Sequence, residues 1–123
     1  MNRILLAEDE EHIARLIEFK LRKEGLEVCT AKNGQEAIDQ WSNGSGWSLV
    51  VLDVMMPIFD GWQVLKHLRL TDSTTPVLML TAKSSEADFT KSVELGATRF
   101  LKKPFDPAEL ARIVKEMMKS GKA

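Results

Sequence analysis

Leu49-Val50-Val51-Leu52-Asp53-Val54-Met55-Met56-Pro57 is the stretch on which the fold turns. Its four leading residues are apolar without alternation and too few for a helix, which predicts a strand covered on both faces. An acid closes the run, and Pro57 follows in a turn. Similar short runs flank it: Ile4-Leu5-Leu6-Ala7, Val28-Cys29-Thr30-Ala31, Val77-Leu78-Met79-Leu80 and Phe100-Leu101. Amphipathic segments separate them. Ile13, Leu16, Ile17 and Leu21 form one stripe, stopped at Gly25. Ala37, Ile38 and Trp41 mark a second helix, ended by Ser42-Asn43-Gly44-Ser45-Gly46. Val64, Leu65 and Leu68 mark a third, and Phe89, Val93 and Leu95 a fourth, stopped by Gly96. Leu110, Ile113, Val114 and Met117 mark a fifth, entered through Asp106-Pro107, an N-cap followed by proline at the first helical position. Strands alternating with helices predict an α/β domain with a parallel sheet and right-handed crossovers.

The whole chain is needed for these five units. It has 123 residues, close to the modal domain size, with 44% apolar and 28% charged residues, so one folded domain is expected over residues 1–119. Residues 120–123, Ser120-Gly121-Lys122-Ala123, read as a loose tail. Seventeen basic against 18 acidic residues leave a net charge of −1. That is no electrostatic footprint for nucleic acid, and no direct nucleic-acid binding is expected. A single cysteine, Cys29, excludes an internal disulfide and suits a reducing, cytoplasmic setting. No apolar run approaches a membrane span, and Ile4–Ala7 runs straight into Glu8-Asp9-Glu10-Glu11, unlike a secretory signal.

Ligands of open α/β sheets bind beyond the carboxyl ends of the strands. There the sequence places Glu8-Asp9 after strand 1, Asp53 after strand 3, Thr81 after strand 4 and Lys102-Lys103-Pro104 after strand 5. Singly, each has an ordinary reading: a helix cap, a turn former, a solvated charge, with Met55 and Met56 as core filler. Jointly, three carboxylates repel one another and need a cation, and Lys103 alone cannot balance them. A hard divalent ion that keeps several waters, Mg²⁺, suits oxygen ligands at a shallow site. His12 and His67 fall on helices away from that edge, against a zinc site. Carboxylates with Lys and Thr opposite suit phosphoryl transfer onto an aspartate. Neither GxGxxG nor GxxxxGK[ST] occurs, so a nucleotide is not the expected direct donor.

Glu8-Asp9, Asp53-Val54-Met55-Met56-Pro57-Ile58-Phe59-Asp60-Gly61, Thr81-Ala82 and Lys103-Pro104-Phe105 follow one another in the order and spacing of a known family. On these residues the chain resembles the receiver domain of two-component response regulators, chemotaxis receivers included. The resemblance implies a single doubly wound (βα)5, flavodoxin-like domain with strand order 2-1-3-4-5. It implies that Asp53 is the phosphoacceptor, and that Asp9 binds Mg²⁺ directly, Glu8 through water and Met55 through its backbone carbonyl. Lys103 would bind the phosphoryl group, with a cis peptide bond to Pro104. Thr81 and Phe100 would be the switch pair, and Ala82 the small residue that leaves the acceptor accessible. The expected donor is a sensor histidine kinase or a phosphotransfer protein. It would dock on Ile13, Pro104 and Phe105, although periodicity alone puts Ile13 in the core as readily. Met55 and Lys83 would border the hydrolytic water and, lacking an amide or carboxylate, leave the phosphoryl group long-lived.

Transcription-factor receivers that dimerise through the fourth helix, fifth strand and fifth helix carry strand acids and a helix arginine. Here Thr98-Arg99 and Ile113 hold those places, with Arg112 one residue early, so an unphosphorylated monomer without the usual dimer is expected. A phosphorylation-controlled switch with weak self-catalysed transfer, acting on an unknown output protein or domain, is the favoured function. A Mg²⁺-dependent phosphatase or phosphomutase would want a second acid at position 55, where Met55 stands, and capping structure for which there is no room. A pseudo-receiver would lack the phosphorylation residues that are present here.

Overall fold

The computed structural model describes residues 2–82, 90–91 and 93–120. In chain order the elements are β1 (Arg3–Ala7), α1 (Glu11–Lys23), β2 (Glu27–Ala31), α2 (Gly34–Asn43) and β3 (Trp47–Asp53). Then come α3 (Gly61–Arg69), β4 (Val77–Thr81), β5 (Arg99–Lys102) and α4 (Pro107–Ser120). The five strands pair in parallel in the order β2-β1-β3-β4-β5. Each predicted strand is present, extended by one to three residues.

The continuous apolar runs have a simple cause. Ile4, Leu6, Leu49, Val51, Leu78 and Leu80 face one layer, with Ile17 and Leu21 of α1 and Leu110, Val114 and Met117 of α4. Their neighbours Leu5, Ala7, Val50, Leu52, Val77 and Met79 face the other, with Ala37 of α2 and Trp62, Val64, Leu65 and Leu68 of α3. Successive strand residues point to opposite faces, so a sheet with helices on both sides needs apolar residues at every position. The caps read from sequence also form. Asp106 Oδ1 accepts the Ala108 N–H at 2.8 Å as Pro107 opens α4. Asp60 and Gln63 make a capping box, each bond 2.9 Å, that starts α3 directly below Asp53.

Some sequence expectations need correction. Leu16 is 46% exposed, because it sits about 100° around the helix from buried Ile17, past the strip that the sheet covers. Of the fourth helical pattern, Thr90, Lys91, Val93 and Glu94 are helical, but Val93 is exposed, and Phe89 lies outside the described residues. Met56 is core, whereas Met55 is 70% exposed and fills nothing. Ile113 is buried against the α1 layer, so it cannot take the place of a surface arginine. Its exposed neighbour Arg112, one residue round the helix, pairs with Glu116 at 2.8 Å, while Arg99 meets Glu116 at 3.6 Å. Of the described helices, none is long and apolar enough to cross a membrane.

Between Asp53 and α3 the backbone makes a γ-turn. Ile58 has a φ of +73°, and the Phe59 N–H donates to the Pro57 carbonyl at 2.9 Å. A β-branched residue is strained there, and the Ile58 side chain is exposed, so it gains little burial in return. Ile58→Gly is expected to stabilise the domain by about 0.5–1 kcal/mol, net of the entropy cost of glycine. Urea unfolding reads this as a higher midpoint at unchanged slope. A lower midpoint would mean that the turn carries no strain.

Candidate functional site

Four of the five strands deliver the polar groups to one edge. Glu8 and Asp9 follow β1, Asp53 ends β3, Thr81 ends β4, and Lys103 follows β5. The strand ends are laced together: Glu8 N–H donates to the Ala31 carbonyl at 3.1 Å, Val54 N–H to Leu80 at 2.9 Å and Lys103 N–H to Thr81 at 2.7 Å. β1 lies beside β3 at the centre of the sheet, so Glu8 and Asp53 are forced together.

Glu8 and Asp53 are almost fully buried, at 1% and 3% exposure, while Asp9 is open to solvent. The Lys103 ammonium bridges the buried pair, 3.0 Å from Glu8 Oε1 and 3.2 Å from Asp53 Oδ2. One cation does not neutralise two buried acids. Burial, then the adjacent Glu8 carboxylate, push the Asp53 carboxyl up to about 8, with Lys103 pulling the other way. Burial alone would lower the Lys103 pKa, but its contacts with Glu8 and Asp53 outweigh that and raise it.

Glu8 Oε2 accepts the Glu10 N–H at 3.2 Å, while Glu8 Oε1 is buried with the Lys103 ammonium 3.0 Å away. Glu8, Asp9 and Asp53 each offer a carboxylate oxygen, all within 4.8 Å of one another. Three carboxylates gathered around a single ammonium are hard donors short of positive charge, which a divalent cation supplies. The cluster can therefore hold a metal ion.

Thr81 is buried and Phe100 half-buried, and both make contacts. The Lys103–Pro104 peptide is cis. Ile13 stands between its two readings: it packs partly on the core and also lines a cleft of about 450 Å³ with Leu16, Ala82, Pro104 and Phe105. Lys83 lies outside the described residues.

Two residues that support the site were missed in the sequence. Gly61 is so close to the end of β3 that a Cβ would stand 2.3 Å from the Asp53 carbonyl oxygen. Gly34, at the start of α2, would meet the Phe59 carbonyl oxygen at 2.1 Å. Gly61 closes the stretch that carries the resemblance and follows the capping acid Asp60, but neither fact reveals its close approach to Asp53. Gly34 has no signal, because its neighbour is 25 residues away in sequence.

Residues 4–115 match the response regulator receiver domain. The transcriptional regulatory protein YkoG of Bacillus subtilis is 45% identical over 119 residues, 96% of this chain and 52% of that protein. The alkaline phosphatase synthesis transcriptional regulatory protein PhoP of the same organism is 41% identical over 117 residues, 95% of this chain and 48% of that protein. Among solved structures, the response regulator TrrA of Thermotoga maritima in complex with Mg²⁺-BeF aligns at a TM-score of 0.84 and 34% identity. The alignment covers 95% of this chain and 99% of that one.

The chain thus spans about half the length of the curated relatives it matches. These relatives overturn the expectation that nucleic acid has no part: they are transcriptional regulatory proteins. The charge of −1 behind that expectation describes this half alone and says nothing of the surface beyond it. The expected monomer loses support as well, since its argument placed Ile113 on a surface where Arg112 stands. With residues 4–115 spanned by the match on a 2-1-3-4-5 sheet edged by carboxylates, the chain belongs to the family of response regulator receiver domains, the phosphoacceptor switches of two-component signalling.

Proposed function

We propose that Asp53 is the phosphoacceptor of this domain and takes the phosphoryl group of a phosphohistidine on a sensor histidine kinase or phosphotransfer protein. The observation that carries the reading is the Lys103 ammonium lying between the buried carboxylates of Asp53 and Glu8. An Asp53 oxygen attacks phosphorus, the P–N bond breaks, and its electron pair leaves on the imidazole nitrogen. Lys103 lies where it can follow the charge onto the phosphoryl oxygens, and the Thr81 hydroxyl can donate to one of them. Glu8, Asp9, Asp53 and the Met55 carbonyl would hold Mg²⁺, which supplies charge neutralisation on the phosphoryl oxygens when bound. Three carboxylates against one ammonium favour such an ion.

The transfer is self-catalysed, since the domain itself brings nucleophile, lysine and threonine to the transferred group. Hydrolysis back to the carboxylate is slow, because Met55 and Lys83, the residues that would border the water, offer neither amide nor carboxylate to orient it. Donor docking uses the apolar cleft beside Lys103, where Ile13, Pro104 and Phe105 border the reacting edge. Like the relatives it resembles, the protein would pass the phosphorylated state to a transcriptional output. The cytoplasm, where histidine kinases phosphorylate their partners and Cys29 stays reduced, suits this chemistry.

Acetyl phosphate with Mg²⁺ should add one phosphoryl group to the wild type and none to Asp53→Ala, read by intact mass. Stoichiometric modification of Asp53→Ala would refute the acceptor. In a second arm, Ile13→Ala should keep this small-donor reaction yet lose most transfer from a phosphorylated kinase. Undiminished kinase transfer would remove Ile13 from the docking surface.

A further inference from the structure

The helix α3 touches the acceptor loop at its start and grips the chain leading into β5 at two other points. Gly61 donates its N–H to the Val54 carbonyl at 2.9 Å and lies without slack against the Asp53 carbonyl. One residue on, Trp62 is buried, and the Lys91 ammonium stands 5.4 Å from its ring centroid. At the far end, Arg69 donates from Nε to the Gly96 carbonyl oxygen at 3.0 Å. Its stem lies over the Gly96 α-carbon, where a Cβ would come 3.4 Å from Cγ, and Gly96 takes a φ of +91°. Apolar grip between these points is slight: Lys91 and Val93 are exposed, while Leu95 and Ala97 are only partly buried.

We propose that Lys91 on Trp62 and Arg69 on Gly96 form a two-point latch holding the chain at Lys91 and at Gly96 to α3 in the unphosphorylated domain, and that phosphorylation opens it. The inference rests on Asp53 being the acceptor and names the regulation of that same site. A phosphoryl group adds close to two negative charges beside Asp53. Any backbone shift of Asp53 and Val54 that seats the group passes to Gly61, because no space separates them. The capping box and the buried Trp62, Leu65 and Leu68 make α3 answer as one rigid piece. A cation over a ring and a single guanidinium–carbonyl bond depend steeply on geometry, so they yield to displacements that apolar packing absorbs. Contacts made only in the unphosphorylated state oppose the change, and removing them raises affinity for whatever stabilises the other state.

Beryllofluoride with Mg²⁺, a phosphoryl mimic, tests the latch by titration of the wild type, Lys91→Gln, Arg69→Gln and Arg69→Lys. Its Kd should fall about threefold in Lys91→Gln and about fivefold in Arg69→Gln. It should return towards wild type in Arg69→Lys, which keeps a donor within reach of Gly96. Before the mimic is added, amide exchange at Leu95 and Gly96 should be faster in both glutamine variants. Lys91 is exposed, so Lys91→Gln keeps the test open even where Arg69→Gln folds poorly. Unchanged or weaker beryllofluoride affinity in the folded glutamine variants overturns the latch, whatever the exchange rates. A wild type that binds no beryllofluoride fails earlier and overturns the acceptor assignment itself.

Discussion

Gly61→Ala should disable the domain more thoroughly than loss of many charged residues at the site. Its Cβ would meet the Asp53 carbonyl oxygen at 2.3 Å and the Val54 α-carbon at 2.9 Å, and neither atom is the yielding end of a flexible side chain. The backbone must move, at a cost on the order of 3 kcal/mol. For a chain of this length that lowers the melting temperature by roughly 10 °C. The movement falls on the residue that ends β3, so the carboxylate is displaced from Lys103 as well. Acetyl-phosphate labelling at a temperature where the variant is folded should drop at least about tenfold, since even small misplacement of a nucleophile is costly. A folded Gly61→Ala domain that labels at the wild-type rate would show that the strand end tolerates the methyl group.

Asp53→Asn should do the reverse to stability. Asp53 has its carboxyl raised from an ordinary 3.8 to about 8 by burial and by Glu8. Between those pH values the folded state holds a proton that the unfolded state has released, so stability falls as pH rises from about 4 to about 8. Above that window the buried charge is borne in full, with Lys103 offsetting part of it. An amide removes the charge and keeps the shape. At pH 8.5 without metal, Asp53→Asn should be more stable by on the order of 2 kcal/mol, a rise of about 5–8 °C in melting temperature. The gap should shrink towards pH 5, and millimolar Mg²⁺ should narrow it at pH 8.5 by stabilising only the wild type. An Asn variant less stable than the wild type at pH 8.5 would contradict this electrostatic account.

The strands, their parallel sense and the carboxylate edge could be read because each depends on local pattern, whereas the strand order came with the family resemblance. A short apolar run bounded by an acid names both a strand and its functional end. What escaped depends on which face of an element the rest of the chain covers. Leu16 and Ile17 differ by one position and look alike in sequence, yet one faces solvent and the other the core. The same single step separates Ile113 from Arg112, and it reversed the reading of that surface. Gly34 is a glycine because of Phe59, a relation made only by folding. The charge balance was sound arithmetic applied to about half of the length of the relatives, and it could not speak for a whole regulator.

The carboxylates, Thr81 and Lys103 sit at the carboxyl ends of strands, while the turns Gly44–Gly46 and Asp72–Pro76 lie at the opposite end of the sheet. For evolution this divides the domain into a conservative rim and a permissive one. At Gly46, with a φ of +73° and nothing within 4 Å of where a Cβ would stand, the chain could lengthen without touching the chemistry. A residue added between Asp53 and Gly61 would instead shift an acid, a capping box and the helix behind it together. Lineages of this domain are therefore free to vary in length at the rim away from Asp53, and that is where a new partner surface can be grafted while phosphoryl chemistry is inherited unchanged.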